Sequence, residues 1–227
     1  MSPSDHSHNN AQMESPANER IIAPSIILAS GSPRRQELLS SLGLTFSVQP
    51  SDFDESSVKE SDPAKLVVEL SYHKARSVFE GISDKAIRSD DETNDVLIIG
   101  SDTVVVLDGD VLGKPRDPKH AREMLMRLQG RQHMVYTGLC VLVVSTGMSV
   151  VSRTAFEATK VFMNPLSDET ISRYVATGEP LDKAGAYAIQ GLGSTLISGI
   201  EGDYFTVVGL PLQRLSRMLE EVGLPVF

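Results

Sequence analysis

The sequence predicts an α/β fold with a mixed sheet. Short apolar strands alternate along the chain with amphipathic helices, and at least two pairs of strands are joined by tight turns, which indicates antiparallel pairing beside strands connected through helices. The 227 residues are enough for one large domain, or for one domain with two lobes. Apolar residues make up 41% and charged residues 22%, which is typical of a globular protein.

The net charge and the cysteine content exclude several function classes. Lys and Arg number 21 against 30 Asp and Glu, which gives a formal net charge of −9. A general binder of duplex DNA or RNA needs a net basic face, so no nucleic acid polymer is expected as a partner. A small anion held by a few local cations is compatible with this charge. The single cysteine, Cys140, excludes an intramolecular disulfide and a multi-cysteine metal cluster.

The N-terminal residues differ from the rest of the chain. Residues 1–20 are rich in Ser, Asn, His and Pro without an apolar period, which predicts a disordered tail before a domain that spans residues 21–227. The apolar run at 21–29 loosely mimics a signal peptide, but Pro24 lies inside it, so we interpret it as a buried strand. No run reaches the ~20 apolar residues of a membrane span. We therefore expect a cytoplasmic protein without a membrane partner.

The first predicted strand, Ile26–Leu28, leads through a Gly/Ser loop into a helix. Ser32 suits the N-cap of this helix, and Gly43 ends it. The unpaired N–H groups at such a helix start attract anions. Arg34 and Arg35 lie in the first turn, where cations oppose the helix dipole, so we interpret them as phosphate ligands rather than as solvated side chains.

A second helix is predicted to begin after Asp62, its N-cap. Lys74 lies on the same row as the apolar residues Leu70 and Val78, so it points toward the core. Lysine is rarely buried unless it is paired. Its ammonium group therefore either snorkels past the edge of the apolar face or reaches an internal anionic site. The charged stretch at 83–95 predicts a surface loop.

A buried strand that begins at Val96 is interrupted by polar residues around Asp102 and resumes before the hairpin turn Asp108–Gly109. A carboxylate between two apolar stretches is either desolvated beside a partner or bound to a metal. A two-residue turn would pair Asp102 with Pro115 and place Lys114 on the other face. A three-residue turn with a bulge would place Asp102 and Lys114 on one face. The sequence leaves both registers open.

The second half of the chain continues the alternation of strands and helices. The segment at 179–193 is dense in glycine and polar residues, which is typical either of a loop leading into a strand or of a turn that lines a ligand site. The other predicted elements are a helix at 118–130, strands at 134–144 and 150–162, a helix at 168–177, a strand at 204–208 and a final helix at 211–222.

These residues predict an enzyme that handles phosphate. Several cations around one carboxylate suit a polyphosphate ligand, and a carboxylate can hold Mg²⁺, which bridges phosphate oxygens and activates water. The chain lacks the P-loop motif, the dinucleotide-binding motif Gly-x-Gly-x-x-Gly and the nucleophile motif Gly-x-Ser-x-Gly. Cys140 lies in a predicted strand among apolar residues, without an identifiable base.

A series of ordered motifs resembles the Maf family of nucleoside triphosphate pyrophosphatases. The resemblance covers about residues 26–222 and leaves out the tail. It implies a two-lobed α/β fold with an elongated mixed sheet flanked by helices, similar to the inosine triphosphate pyrophosphatases, with the active site in the central cleft. The matching motifs are Leu28–Leu39, Lys74, Gly100–Val105, Gly113–Pro115, Tyr136–Gly138, Glu179–Gly191 and Gly202–Pro211.

The resemblance implies hydrolysis of a nucleoside triphosphate between its α- and β-phosphates, which gives a monophosphate and pyrophosphate. By position, Asp102 would accept a proton from the attacking water, and Glu55 with Asp102 would hold a divalent metal cation, Mg²⁺ or Mn²⁺. The implied partner is a small-molecule nucleotide, and a homodimer is compatible with this interpretation. The implied phosphate-binding residues are Ser30, Ser32, Arg35, Lys74 and Lys114.

Within the family, the segment that contains Asp182 and Lys183 resembles the subgroup that acts on dTTP and UTP, and both residues are expected to contact the substrate. Arg34, Thr103 and Gln190 match the positions linked to that base preference. An amide such as that of Gln190 can both donate to and accept from a pyrimidine dione edge, and a site built for one edge leaves polar groups unpaired with the wrong base.

Two alternatives stay open at the level of the sequence. One is a 7-methyl-GTP pyrophosphatase, although that subgroup departs from the segment around Asp182 and Lys183. The other is a non-catalytic, nucleotide-binding regulator, because the family is also linked to septum formation and cell-division arrest. A housecleaning enzyme whose substrates are modified pyrimidine nucleotides would share the chemistry of the first interpretation.

Overall fold

The computed structural model of this chain describes residues 24–82, 95–145 and 149–227. In these residues, seven strands form one mixed sheet, with helices packed against both of its faces. The predicted tail at 1–20 lies outside the described residues, and so does the predicted surface loop at 83–95 except for its last residue. None of the described helices is both long and apolar enough to cross a membrane.

The elements follow the predicted order closely. The strands are β1 (Ser25–Leu28), β2 (Phe46–Val48), β3 (Val96–Leu107), β4 (Asp110–Leu112), β5 (Gln132–Val144), β6 (Val150–Met163) and β7 (Ile197–Glu201). The α-helices are α1 (Pro33–Ser41), α2 (Pro63–Gly81), α3 (Pro118–Leu128), α4 (Asp168–Ala176), α5 (Tyr204–Val208) and α6 (Leu212–Glu221). Short 3₁₀-helices occupy Glu55–Ser57, Glu179–Asp182, Ala184–Ala186 and Gly191–Leu196.

The predicted strand at 204–208 is wrong, because these residues form helix α5. The β-branched residues of this stretch favour a strand, but both of its ends carry helix caps. The Asp203 carboxylate accepts a hydrogen bond from the N–H of Thr206 at 2.6 Å, and Gly209 ends the helix with a φ of 119°. Capping at both ends therefore outweighs strand propensity in this five-residue element.

The predicted interruption of the third strand is also wrong. β3 runs without a break over 12 residues, because β5 pairs with it from Val96 to Val106. Its other edge is only partly covered. β1 pairs with residues 96–99 and β4 with residues 105–107, so no described strand pairs with residues 100–104 on that edge. Asp102 lies in the middle of this open stretch.

The architecture confirms the predicted α/β class with a mixed sheet flanked by helices. The strand order is β2-β1-β3-β5-β6-β7, with β4 beside β3; β1 is parallel to its neighbours and the remaining pairs are antiparallel. The long central strands carry an apolar cluster at each end, as expected of two lobes. One cluster includes residues of α1 and α6, and the other includes residues of α3 and α4.

The hairpin between β3 and β4 has the two-residue turn. Leu107 pairs with Asp110, and the two turn residues have positive φ angles of 53° at Asp108 and 88° at Gly109. Such a turn matches the twist of the flanking strands. The pairing ends at Leu112, so Lys114 lies beyond the ladder and the register alone does not decide its direction.

Helix α2 lies unusually close to the sheet, because two strand residues lack a side chain. A Cβ atom at Gly100 would lie 2.1 Å from the carbonyl oxygen of Ser71, and one at Gly138 would lie 2.0 Å from that of Val67. Gly138 is the cross-strand partner of Asp102. The two glycines therefore set the distance between α2 and the strand that carries Asp102.

We expect Gly138→Ala to lower the free energy of unfolding by at least ~2 kcal/mol, because the new methyl group would meet the backbone of α2 rather than a movable side chain. Urea unfolding followed by circular dichroism measures this change. Gly199→Ala is the matched control, since nothing lies within 4 Å of a Cβ there; we expect a change within ~0.5 kcal/mol. Equal stability of Gly138→Ala and wild type would contradict the close approach.

A buried histidine, His133, connects β5 to the segment at 179–193 through a hydrogen bond. His133 is 3% exposed, and its Nε2 lies 2.7 Å from the hydroxyl of Tyr187. Its Nδ1 has no hydrogen-bond partner among the described residues. Burial lowers the pKa of His133 to about 4, so the imidazole is neutral in the folded protein at pH 7.

This histidine predicts a loss of stability in weak acid. Between pH 6.5 and about 4, the unfolded chain binds a proton at His133 that the folded chain does not, so stability falls as the pH falls through this window. The full effect is about 3 kcal/mol. Unfolding of wild type and His133→Gln at several pH values isolates it, because the variant lacks the titrating group. A stability difference that does not change with pH would refute the prediction.

Candidate functional site

The open stretch of β3 places neighbouring residues on opposite faces of the sheet. Asp102 is buried on the face covered by α2, where Val104 and Val106 pack against Val67. Thr103 points to the other face, toward α1 and the connection between α5 and α6. A ligand in the gap between β1 and β4 would therefore reach both side chains from the edge of the strand.

Lys74 of α2 joins two carboxylates. Its Nζ donates to Asp102 Oδ1 at 2.5 Å and lies 2.8 Å from Glu55 Oε1. The Lys74 side chain is only 13% exposed, so of the two predicted alternatives the inward orientation is confirmed. Asp102 is accordingly desolvated beside a partner. Loss of Lys74 would leave the Asp102 carboxylate buried without this counter-charge, whereas loss of Asp102 would leave Lys74 paired with Glu55.

Glu55 reaches Lys74 because the turn before it is capped. Asp54 Oδ1 accepts a hydrogen bond from the N–H of Ser56 at 3.0 Å, which starts the 3₁₀-helix at Glu55. Desolvation raises the pKa of Glu55. The hydrogen bond and charge of Lys74, with the charges of Lys114 and Arg35, together lower it by more, so the pKa of Glu55 lies below its usual value. Glu55 is therefore charged at neutral pH and lies within the field of three cations.

Residue chemistry alone missed Glu55, which looks like a surface acid in the sequence. Only the family motif indicated it. The charge of Lys114 also contributes to the lowered pKa of Glu55, which shares Lys74 with Asp102.

Arg35 uses all three of its guanidinium nitrogens within the protein. Its Nε donates to the carbonyl oxygen of Gly209 at 2.8 Å, its Nη1 to Ser30 Oγ at 3.2 Å and its Nη2 to Thr103 Oγ1 at 3.0 Å. Ser30 Oγ also accepts from the N–H of Ser32 at 3.3 Å. Arg35 thus fixes α1 to β3, and only the second N–H of each terminal nitrogen is left for a ligand.

Four other predicted site residues have no protein partner for their side chains within residues 24–82, 95–145 and 149–227. Ser32 takes the predicted N-cap position of α1, but its hydroxyl makes no capping hydrogen bond. Gln190 precedes the 3₁₀-helix Gly191–Leu196 without capping it, and its side chain is half-buried. The residues of this kind are Ser32, Arg34, Lys114 and Gln190.

The segment that begins at Glu179 is a packed turn rather than a loose loop. The Glu179 carboxylate accepts hydrogen bonds from the hydroxyl of Tyr174 at 2.9 Å and from the N–H groups of Leu192 at 3.1 Å and Gly193 at 2.8 Å. Farther along, Gly185 has a φ of 69° and lies against Val105 of β3. This packing holds the segment next to the open stretch of β3.

Asp182 and Lys183 lie in this turn and form an ion pair. Desolvation raises the pKa of Asp182, but the hydrogen bond and charge of Lys183, followed by the charge of Arg34, lower it below its usual value. Ile189 of the same segment packs against the apolar cluster that includes Leu38 and Leu39 of α1, so the segment after α4 lies close to α1. The structure therefore brings together residues that are about 150 positions apart in the sequence.

The assembled site has more cations than carboxylates, although the chain as a whole is acidic. Such a local excess suits a polyanion. Glu55 and Asp102 bind one ammonium group and are therefore close enough to share a divalent cation, and their hard oxygen ligands fit Mg²⁺ or Mn²⁺. The part of the chain that the structure describes has no group of three or more His, Cys, Asp or Glu residues placed to hold a metal. Phosphate oxygens would have to complete the coordination.

Comparison with known proteins gives a family match over most of the chain. A family model named Maf, described as "Maf-like protein", matches residues 25–222. A solved structure described as a nucleoside-triphosphatase, dITP/XTP pyrophosphatase, from Mycobacterium abscessus is similar with a TM-score of 0.34 and 13% identity, and covers 87% of this chain and 94% of its own. This similarity is too weak to support a family or an activity for the chain.

Curated relatives are much more similar in sequence. A protein of Moorella thermoacetica named dTTP/UTP pyrophosphatase is 48% identical over 202 residues, which cover 89% of this chain and 97% of the relative. Proteins with the same name from Caldanaerobacter subterraneus and a Thermoanaerobacter species are 46% and 49% identical over 195 residues; these cover 86% of this chain and 87% and 95% of the two relatives. The chain therefore belongs to the Maf family.

Proposed function

We propose that this protein is a nucleoside triphosphate pyrophosphatase that hydrolyses dTTP and UTP to the monophosphate and pyrophosphate. The observation that carries the proposal is the Lys74 ammonium group held between Asp102 and Glu55, at a stretch of the central strand where one edge has no described partner strand. Curated relatives of nearly half-identical sequence bear the name of this activity. We assign the activity to the domain at 21–227 and to the cytoplasm, where nucleoside triphosphates are found.

In this proposal Asp102 is the proton acceptor. Water attacks the α-phosphorus, its proton moves to the Asp102 carboxylate, and the bond to the oxygen that bridges the α- and β-phosphates breaks as pyrophosphate leaves. Lys74, Lys114 and Arg35 would stabilise the charge that develops on the departing pyrophosphate. The contact of Lys74 with both Asp102 and Glu55 supports this role.

A divalent cation, Mg²⁺ or Mn²⁺, belongs to the proposal, with Glu55 and Asp102 as its protein ligands. When bound, such an ion polarises phosphate oxygens and lowers the pKa of a coordinated water. The chain's own part is to hold Glu55 in its charged form and to position Asp102 beside Lys74. The lowered pKa of Glu55 supports this part.

Other residues beside the gap between β1 and β4 would contact the base. Arg34 and Gln190 have no partner among the described side chains, so their hydrogen-bonding groups are available to a ligand. Asp182 and Lys183, in the turn beside them, would contact the nucleotide as well. An amide that both donates and accepts matches the alternating edge of uracil and thymine, which supports a preference for dTTP and UTP.

The decisive experiment measures pyrophosphate release from dTTP, UTP, CTP, ATP, GTP and 7-methyl-GTP with Mg²⁺, with Mn²⁺ and with a chelator. We expect metal-dependent release from dTTP and UTP, and none with chelator. Release mainly from 7-methyl-GTP would keep the chemistry and overturn the base preference. Nucleotide binding without any release would favour the non-catalytic regulator over the enzyme.

Replacement of Asp102 tests the proposed proton acceptor. We expect Asp102→Asn to lower kcat for UTP about 10³-fold, because the amide cannot accept the proton. The fold should persist, which circular dichroism checks. Asp110→Asn is the control: Asp110 is an exposed carboxylate paired with Arg127, and its loss should leave kcat unchanged. Near wild-type kcat in Asp102→Asn would overturn the assigned role.

A further inference from the structure

A chain of hydrogen bonds runs across the sheet on the face opposite Asp102. Arg35 Nη2 donates to Thr103 Oγ1 at 3.0 Å, and Thr103 Oγ1 lies 2.9 Å from Thr137 Oγ1 on the neighbouring strand. Thr137 Oγ1 in turn lies 2.7 Å from the carbonyl oxygen of Thr206 in α5. Thr137 and Thr206 are fully buried, so water does not compete for these groups.

The chemistry of the end groups fixes the direction of every proton in this chain. A carbonyl oxygen only accepts, so the single hydroxyl proton of Thr137 is given to Thr206. Thr137 must then accept from Thr103, and the single proton of Thr103 is used as well. Arg35 only donates, so it takes one of the two lone pairs of Thr103. Thr103 therefore offers a ligand one free lone pair and no proton.

The Thr206 carbonyl group, which ends this series of hydrogen bonds, belongs to a residue that is itself fixed by hydrogen bonds. The Asp203 carboxylate accepts from both the N–H of Thr206 at 2.6 Å and its hydroxyl at 2.8 Å. Thr159, which is also fully buried, donates to the backbone oxygen of Asp203 at 2.9 Å. The acceptor that orients Thr137 is thus fixed by β6 and by the cap of α5.

We propose that Thr137 is a positioning residue that locks Thr103 as a pure hydrogen-bond acceptor, and that this lock selects bases with a ring N–H. The inference rests on the proposed function. Phosphate oxygens only accept hydrogen bonds, so the Thr103 hydroxyl, whose proton is already used, cannot bind them. It can instead accept a hydrogen bond from a donor on the base. Uracil and thymine carry an N–H at ring position 3, whereas cytosine has a lone pair there that would oppose the lone pair of Thr103.

The test compares two variants of Thr137 with a matched control. Thr137→Val keeps the shape but frees the proton of Thr103, so we expect the ratio of kcat/KM for UTP over CTP to fall ~10-fold. The chemistry on the Asp102 face should persist, with kcat for UTP within ~2-fold of wild type. Thr137→Ser keeps the hydroxyl and should retain the ratio. The control, Ser71→Ala, removes a buried hydroxyl that donates to the carbonyl oxygen of Val68 in α2, outside this network, and should change only the melting temperature.

The outcomes separate this inference from the function on which it rests. A wild-type protein that releases no pyrophosphate from UTP or dTTP refutes the proposed function itself. If the wild type is active and the base ratio is unchanged in Thr137→Val, or falls equally in Thr137→Ser or Ser71→Ala, the role of Thr137 is overturned. If Thr137→Val does not fold, Thr137→Ala removes the same hydroxyl without adding bulk, and the same ratio decides.

Discussion

The close approach of α2 to the sheet is the constraint on which the site depends. Two glycines, Gly100 and Gly138, leave room for backbone carbonyl groups of α2 where side chains would otherwise project. One turn farther along the helix, Lys74 comes within hydrogen-bond distance of Asp102, the residue paired with Gly138. With a larger separation, Asp102 would be a carboxylate on an apolar strand without a counter-charge, and the cost of burying it would fall on the fold.

At the open edge of β3, the polar residues of the site lie on two opposite faces of one strand. Because side chains alternate, Asp102 meets the carboxylate and lysine cluster under α2, while Thr103 meets the hydroxyl chain that leads to Thr137. Arg35 connects the two sides, since it binds Thr103 and lies in the field of Asp102 and Glu55. In the proposed function, the residue that accepts the proton and the residue that faces the base are therefore neighbours in the sequence.

Much of this arrangement could be predicted from the sequence, and the failures have physical causes. Asp62 predicted the start of α2, and the row of apolar residues predicted that Lys74 lies on the buried face of this helix, because both signals are local. Whether its ammonium group reaches past the edge of that face or into an internal site was left open by the sequence. Glu55 could not be found in this way, since its role depends on a partner 19 positions away. The contacts of Arg35 are equally non-local. Helix α5 was mistaken for a strand because five residues are too few to show a period.

The charge balance of the site explains how an acidic protein can hold a polyphosphate. At long range, a net charge of −9 disfavours an approaching anion, but salt largely screens this repulsion at distances beyond about 10 Å. Inside the gap the balance is reversed, because Arg34 and Lys114 have no ion-pair partner among the described residues and act on Asp182 and Glu55 only through space. Lys74 adds to this effect, since its charge is shared by two carboxylates rather than cancelled by one. Recognition therefore depends on a short-range, partly desolvated field, which favours a compact polyanion that fills the gap over a long one that lies across the surface.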